Sequence, residues 1–154
     1  MKEISVGKRG QIAMVDDENF ERLSRYNWRL NKGYAYTTIC GYAVRMHQLV
    51  FDCPDGFITD HRNRNKLDNQ RRNLRRATHS QNGANQALRA DNVSGYKGVT
   101  WNKQMGKWKA QIRNAGARLF LGYFEDAQAA AKAYDVKARE LFGEFACLNL
   151  ANLA

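Results

Sequence analysis

Asp60-His61-Arg62-Asn63-Arg64-Asn65-Lys66-Leu67-Asp68-Asn69-Gln70-Arg71-Arg72-Asn73-Leu74-Arg75-Arg76-Ala77-Thr78-His79-Ser80-Gln81-Asn82 is the stretch on which the reading of this 154-residue chain turns. It joins a carboxylate directly to an imidazole, the common side chain whose ordinary pKa, about 6.5, lets it exchange a proton near neutrality. A carboxylate is a hard oxygen donor of the kind Mg²⁺ prefers, and Asn82 offers a second oxygen. Asn73 stands twelve positions after His61, and Asn82 nine further on. An Asp-His pair alone is an ordinary surface feature; the whole spaced set is not.

Charge is focused on this stretch and on the one after it. Lys and Arg number 25 against 15 Asp and Glu, a formal +10, so the natural partner is an anion, most often phosphate. Residues 60–94 hold eight basic residues against three acids, and residues 95–123 hold six with no acid. Residues 1–59 are nearly balanced and 124–154 slightly acidic, so the positive charge is gathered as a phosphate-tracking surface requires. A hydrophobic fraction of 44% excludes disorder as the reason for the charge. At roughly 100–200 residues per domain, the length admits one ordinary domain or two small ones and excludes a large multi-layer enzyme fold. Cys40, Cys53 and Cys147 lie far apart with no C-x-x-C pair, so reduced, buried cysteines are expected rather than a disulfide framework or zinc knuckle. Met1 to Asp17 has no apolar run of roughly 7–15 residues, and no stretch of about 18 could span a bilayer, so a soluble protein of a reducing compartment is expected.

The pattern divides in the same way. Asp16-Asp17-Glu18 opens a short helix over Asn19–Ser24, with acids where the helix dipole favours them. Tyr26–Leu30, Gly33–Thr38 and Gly41–Val50 are aromatic and β-branched runs that read as an antiparallel meander. Pro54-Asp55-Gly56 is a turn, Phe57–His61 a strand, and Ser80–Leu88 a helix with Ser80 as N-cap; a polar loop rich in Asn and Arg lies between the last two. A second meander follows in Tyr96–Trp101, Lys107–Asn114 and Arg118–Tyr123. Asp126 then caps a helix on which Ala127, Ala130, Ala131, Tyr134, Ala138, Leu141 and Phe142 recur at helical spacing until Gly143. So small a sheet must pack one face on that helix, leaving the other for solvent or a ligand. The boundary between modules is expected near Gln86–Ser94, giving domains at 1–90 and 91–154.

Hydrolysing a phosphodiester takes a base to deprotonate water and a hard cation to neutralise charge. The Asp60–Asn82 stretch resembles the HNH, or ββα-metal, motif of phage and intron-associated homing endonucleases in its H-N-N form. That resemblance implies His61 as general base, Asp60 and Asn82 as holders of one Mg²⁺ or Mn²⁺, and Asn73 as the brace that orients the His. Asn82 stands where many members carry His. Tyr42-Ala43-Val44-Arg45-Met46-His47-Gln48-Leu49-Val50 resembles the M-H-R-L segment that precedes the motif, with Gln48 in place of Arg. His47 is expected to pack under the site rather than act in it, and His79 to lie at the surface or face phosphate. Asn63, Asn65 and Asn69 read as turn formers. Arg62, Arg64, Arg71, Arg72, Arg75 and Arg76 are expected to contact DNA.

In the Lys107–Asn114 strand, alternation sends Lys107, Lys109, Gln111 and Arg113 to one face and Trp108, Ala110 and Ile112 to the other. One face is thus a cationic comb, and Trp108 reads as core; Trp101 is open between core, rim and stacking roles. Residues 94–150 resemble the Apetala/ethylene-response-factor (AP/ERF) DNA-binding domain, with Ala130-Ala131-Lys132-Ala133-Tyr134-Asp135 and Phe145-Ala146-Cys147-Leu148-Asn149 as further matches. Members lay the sheet in the DNA major groove, which admits a β-ribbon. The resemblance implies that Lys97, Lys103, Lys107, Lys109, Gln111, Arg113 and Arg118 face DNA, with Thr100, Trp101 and Phe120. Lys97, Thr100 and Phe120 stand where the plant proteins typically place base-reading Arg and Trp. Lys acts mainly as a phosphate point charge, which favours affinity over specificity.

The expectation is therefore an α+β chain with an N-terminal nuclease module, followed by a three-stranded sheet packed on one helix. It would cut duplex DNA with a divalent metal, as a monomer or weak dimer without a membrane partner. The resemblance implies the cytoplasm of a bacterial host and a phage or prophage origin. A non-catalytic DNA-binding regulator derived from such a nuclease is the rival, and RNA binding ranks lower because few exposed aromatics outside the second sheet could stack bases.

Overall fold

Ile4 and Val6, then Ala13 and Val15, alternate with less buried neighbours. In the computed structural model, which describes residues 1–150, they are the inward face of an antiparallel hairpin, β1 (Lys2–Val6) and β2 (Gln11–Val15). The sequence pattern assigns no element here, because a five-residue alternation beside Lys8 and Arg9 is a weak signal. The acids Asp17 and Glu18 begin α1 (Asp17–Ser24), whose Leu23 is fully buried. Trp28 packs beside it and donates its indole N–H to the Leu23 carbonyl at 2.8 Å, so that large side chain leaves no unmet polar atom in the core.

The first meander is present as β3 (Arg29–Asn31), β4 (Tyr34–Ile39) and β5 (Tyr42–Arg45), paired in that order. It does not run on to Val50. Met46 and His47 are both buried, which a pleated strand with one solvent face cannot provide for neighbours, and the chain turns into α2 (Met46–Val50). The Gln48 side chain accepts from the Arg45 backbone N–H at 2.9 Å and fixes that start. Ile4, Val6, Ala13, Val15, Leu23, Trp28, Ala35 and Met46 form one core.

β6 (Ile58–His61) pairs antiparallel with β7 (Leu74–Ala77), in the register Asp60 to Arg75 and His61 to Leu74. The strand β7 corrects the expectation of a loop. Two arginines at its centre hide it, yet Leu74, Arg75 and Ala77 are buried. Residues 62–73 form the loop between the two strands. The side-chain oxygens of Asn63 and Asn65 accept from the backbones of Asn65 and Leu67, so these two are turn formers as expected. Met14 N–H to Leu67 carbonyl and Asn69 N–H to Met14 carbonyl, each 2.8 Å, fasten the loop to β2.

By packing, the chain divides into one unit of Met1–Thr78 and a second beginning at His79. The second opens with α3 (His79–Asn85), which starts one residue earlier than expected. Ser80 does not cap it; its hydroxyl donates to Asn114 and accepts from the Ala115 N–H. β8 (Val99–Asn102), β9 (Lys107–Asn114) and β10 (Ala117–Phe124) form the second antiparallel sheet with β9 central. α4 (Ala127–Phe142) covers one face, its N-terminus capped by the Asp126 carboxylate accepting from Ala129 N–H at 2.8 Å and its end turned by Gly143 at φ 51. Ala130, Ala131, Tyr134, Ala138 and Phe142 bury against Val99, Ala110, Ile112 and the α3 residue Ala84. Asp135 is also buried, and its two oxygens take the N–H groups of Asn149 and Leu150 at 2.8 Å each. The result is an α+β chain of several small antiparallel sheets. All three cysteines are free but none is fully buried; Cys40 is exposed, correcting the expectation. No helix among the described residues is long and apolar enough to cross a membrane.

Candidate active site and nucleic-acid interface

His61 ends β6 and is 5% exposed. The pleat turns it away from Asp60 toward two other rings, His47 at 5.2 Å between centroids and Tyr34 at 6.0 Å. Its Nε2 lies 3.2 Å from Asn69 Oδ1. Asn69 is 1% exposed, and its amide NH₂ donates to the Leu67 carbonyl and the Met46 sulfur, which leaves the oxygen to face the imidazole. In the tautomer that donates to this oxygen, the His61 proton is on Nε2 and the lone pair on Nδ1. Burial pushes the His61 pKa down, opposed in part by the Asn69 bond and the carboxylates of Asp60 and Asp68. His47 is pushed down further, to about 3, by burial first and then by the charges of His61 and Arg45. Both imidazoles are thus neutral at pH 7, the form in which a histidine can accept a proton.

Asp60, 4% exposed, faces Arg75, whose Nε donates to its Oδ2 at 2.8 Å. Arg75 is itself 6% exposed, so it orients the carboxylate and does not extend to a nucleic acid, correcting the sequence expectation. Asn73 is buried in the loop, accepting from the Asn63 N–H at 3.0 Å and donating to the Asp68 carbonyl at 2.8 Å. It braces the loop, while the ring contact expected of it is made by Asn69. Asn82 lies half-buried on α3, in the second unit. Arg62, Arg64, Arg71, Arg72 and Arg76 are exposed, with the Arg71 guanidinium 4.0 Å above the Phe51 ring.

On the second sheet the register sorts the predicted DNA contacts. Thr100 pairs with Lys109, Gln111 with Phe120, and Arg113 with Arg118, so these six side chains share the face opposite α4. Phe120 is 56% exposed there. Lys107 shares the face and pairs with Glu125 at 2.7 Å, both exposed; Lys103 is exposed in the β8–β9 turn. Trp101 and Lys97 lie off this comb. Trp101 pairs with Trp108 on the face that carries Val99 and Ala110, off the comb, with ring centroids 5.2 Å apart. Lys97 is half-buried, its ammonium donating to the carbonyls of Ala84 at 2.7 Å and Gln86 at 2.6 Å.

A family profile described as HNH endonuclease matches residues 52–84. The uncharacterized HNH endonuclease L560 of Acanthamoeba polyphaga mimivirus is 30% identical over 148 residues, 92% of this chain and 76% of that protein. The chain belongs to the HNH endonuclease family. Dehydration-responsive element-binding protein 2D of Arabidopsis thaliana is 54% identical over 66 residues, 39% of this chain and 30% of its own length. An AP2/ERF and B3 domain-containing protein of Oryza sativa subsp. japonica is 44% identical over 68 residues, 44% of this chain and 18% of its own. This HNH family member therefore carries a region of AP/ERF type, although it spans under a third of those plant proteins. The HNH match covers β6, its loop, β7 and most of α3, with His61 and Asn73 inside it. Sequence reasoning missed Asn69 as the partner of His61. The signal that could have found it is its place in Leu67-Asp68-Asn69, where an apolar residue marks the loop as partly buried.

Proposed function

We propose that this chain is a divalent-metal-dependent DNA endonuclease of the homing type that nicks duplex DNA, with residues 1–90 as nuclease domain and 91–154 as DNA-binding domain. The observation that carries the reading is His61: buried, neutral and held by Asn69 through Nε2, so that Nδ1 is the basic atom. In this reading His61 takes a proton from the attacking water, and Asn73 and Asn69 keep the loop and ring in place. β6, β7 and α3 follow one another in the order of a ββα-metal motif, and Asp60 and Asn82 would hold the cation. Each donor suits the cation by its chemistry: a buried, oriented carboxylate and a carboxamide are hard oxygen donors of the kind Mg²⁺ or Mn²⁺ takes. No group of three or more His, Cys, Asp and Glu gathers among the described residues. Such a cation, when bound, neutralises charge on the phosphate and the departing oxygen. Thr100, Lys103, Lys107, Lys109, Gln111, Arg113, Arg118 and Phe120 would meet the duplex, and in the first unit the exposed Arg62, Arg64, Arg71, Arg72 and Arg76 would contact DNA phosphates.

The regulator reading draws on one observation, the Arg75–Asp60 ion pair, which occupies an oxygen of the carboxylate proposed for the metal. Supercoiled plasmid incubated with the protein in Mg²⁺, in Mn²⁺ and in EDTA separates the two. Conversion to nicked circles with either metal and not in EDTA is expected. A gel shift at low salt with no conversion in either metal would put the regulator first.

A further inference from the structure

Tyr34, Arg45, Lys66 and His61 come from four separate places in the first unit, and the fold collects them. Arg45 pairs across the sheet with Tyr36, and Tyr34 is the next residue along on the same face, so the guanidinium centre reaches 4.9 Å from the Tyr34 ring centre. Lys66 arrives from the β6–β7 loop, its ammonium 4.5 Å from the same ring centre and donating to the Lys32 carbonyl at 3.0 Å. The turn makes room for it: Gly33 sits at φ +83, and a Cβ there would lie 3.2 Å from Lys66 Cδ. Tyr34 also touches His47, at 5.3 Å between ring centroids, and His61 at 6.0 Å.

Arg45 and Lys66 are both exposed, and neither has an acidic partner among the described residues. Cation–π contact orients each at modest gain. Two like charges held on one ring, 4.9 and 4.5 Å from its centre, repel, and an anion reached by both exposed heads offsets that repulsion. Arg offers a planar fork and Lys a point charge, the two donor types used for phosphate. We propose that Arg45 and Lys66, displayed on Tyr34 beside His61, form a clamp for the DNA backbone phosphate at the cleavage position. The proposal deepens the nuclease reading and rests on it for the word cleavage; that the clamp binds DNA phosphate can be tested without it.

The test uses the full chain carrying His61→Ala, so that DNA stays intact, and measures duplex affinity against salt with and without Arg45→Gln/Lys66→Gln. The slope of log affinity against log salt should fall by about 0.9, for the one phosphate that is no longer neutralised, and Arg45→Lys/Lys66→Arg should restore it. With His61 present, the Gln pair should slow cleavage of saturating DNA roughly 10-fold or more. An unchanged slope overturns the clamp whatever the cleavage rate. A reduced slope in a protein that never cleaves leaves the clamp standing and removes the nuclease reading instead.

Discussion

Gly98 shows how the packing of the second unit requires the absence of a single methyl group. It sits at φ +71, its carbonyl accepts from Gln111 N–H at 2.8 Å, and a Cβ would run into the Tyr134 ring and the Gln111 carbonyl. Gly98→Ala is expected to destabilise the second unit by more than about 2 kcal/mol, measured by denaturant unfolding. His47 gives the first unit a pH dependence of definite sign. Its folded pKa is about 3 against an ordinary 6.5, so above the ordinary value neither state takes a proton and stability is level. As pH falls from about 6.5 toward 3, the unfolded chain gains a proton that the folded chain refuses, and roughly 3–5 kcal/mol is lost across that window. His61, shifted the same way by burial, adds to the loss, and His47→Asn should flatten the profile of melting temperature against pH. Asn69→Ala should free the His61 ring, reducing Nε2–H tautomer in its ¹⁵N spectrum and slowing cleavage roughly 10-fold or more. Adjacent chemistry and spacing single out His61 and Asp60 in the sequence, and both are buried with side-chain partners. Asn69 was not legible there, since Asn63, Asn65 and Asn69 are alike in a polar loop and only contact with Met14 and Met46 buries the third.

Elements were legible where periodicity was long. The expected bounds of β9 match the structure and α4 begins and ends at the expected cap residues, because eight alternating residues and sixteen at helical spacing leave little ambiguity. β7 and α2 were not. In Leu74-Arg75-Arg76-Ala77, the inward turn of a charged residue depends on Asp60 across the hairpin, and in Met46–Val50 a five-residue mixed run fits strand or helix until burial decides. The comb on β9 and β10 was legible from alternation, while Lys97, expected within the strand Tyr96–Trp101, precedes β8 and is captured by carbonyls the sequence does not show near it. Lys109→Gln/Arg113→Gln/Arg118→Gln should lower the salt slope of duplex binding by about 0.9 for every phosphate these side chains neutralise. Retention of the full slope would place the duplex on another face.

At the scale of the whole chain, packing assigns α3 to the second unit, although the HNH match reaches residue 84. Ala84 is buried with Ile112 and Tyr134, and its carbonyl takes both the Cys147 N–H and the Lys97 ammonium. A fragment beginning at His79 should therefore be more stable than one beginning at Asp91, by about 1–3 kcal/mol in denaturant titration. The sequence boundary near residue 90 followed a fall in apolar content, which is blind to which neighbour a short helix packs on. The central claim concerns His61, and single-turnover cleavage of duplex DNA by wild type and His61→Ala, with affinity measured alongside, tests it most directly. A fall in rate of about 10²–10⁴ with affinity unchanged is the expected result; cleavage at the wild-type rate, or a loss of binding as large as the loss of rate, would contradict it.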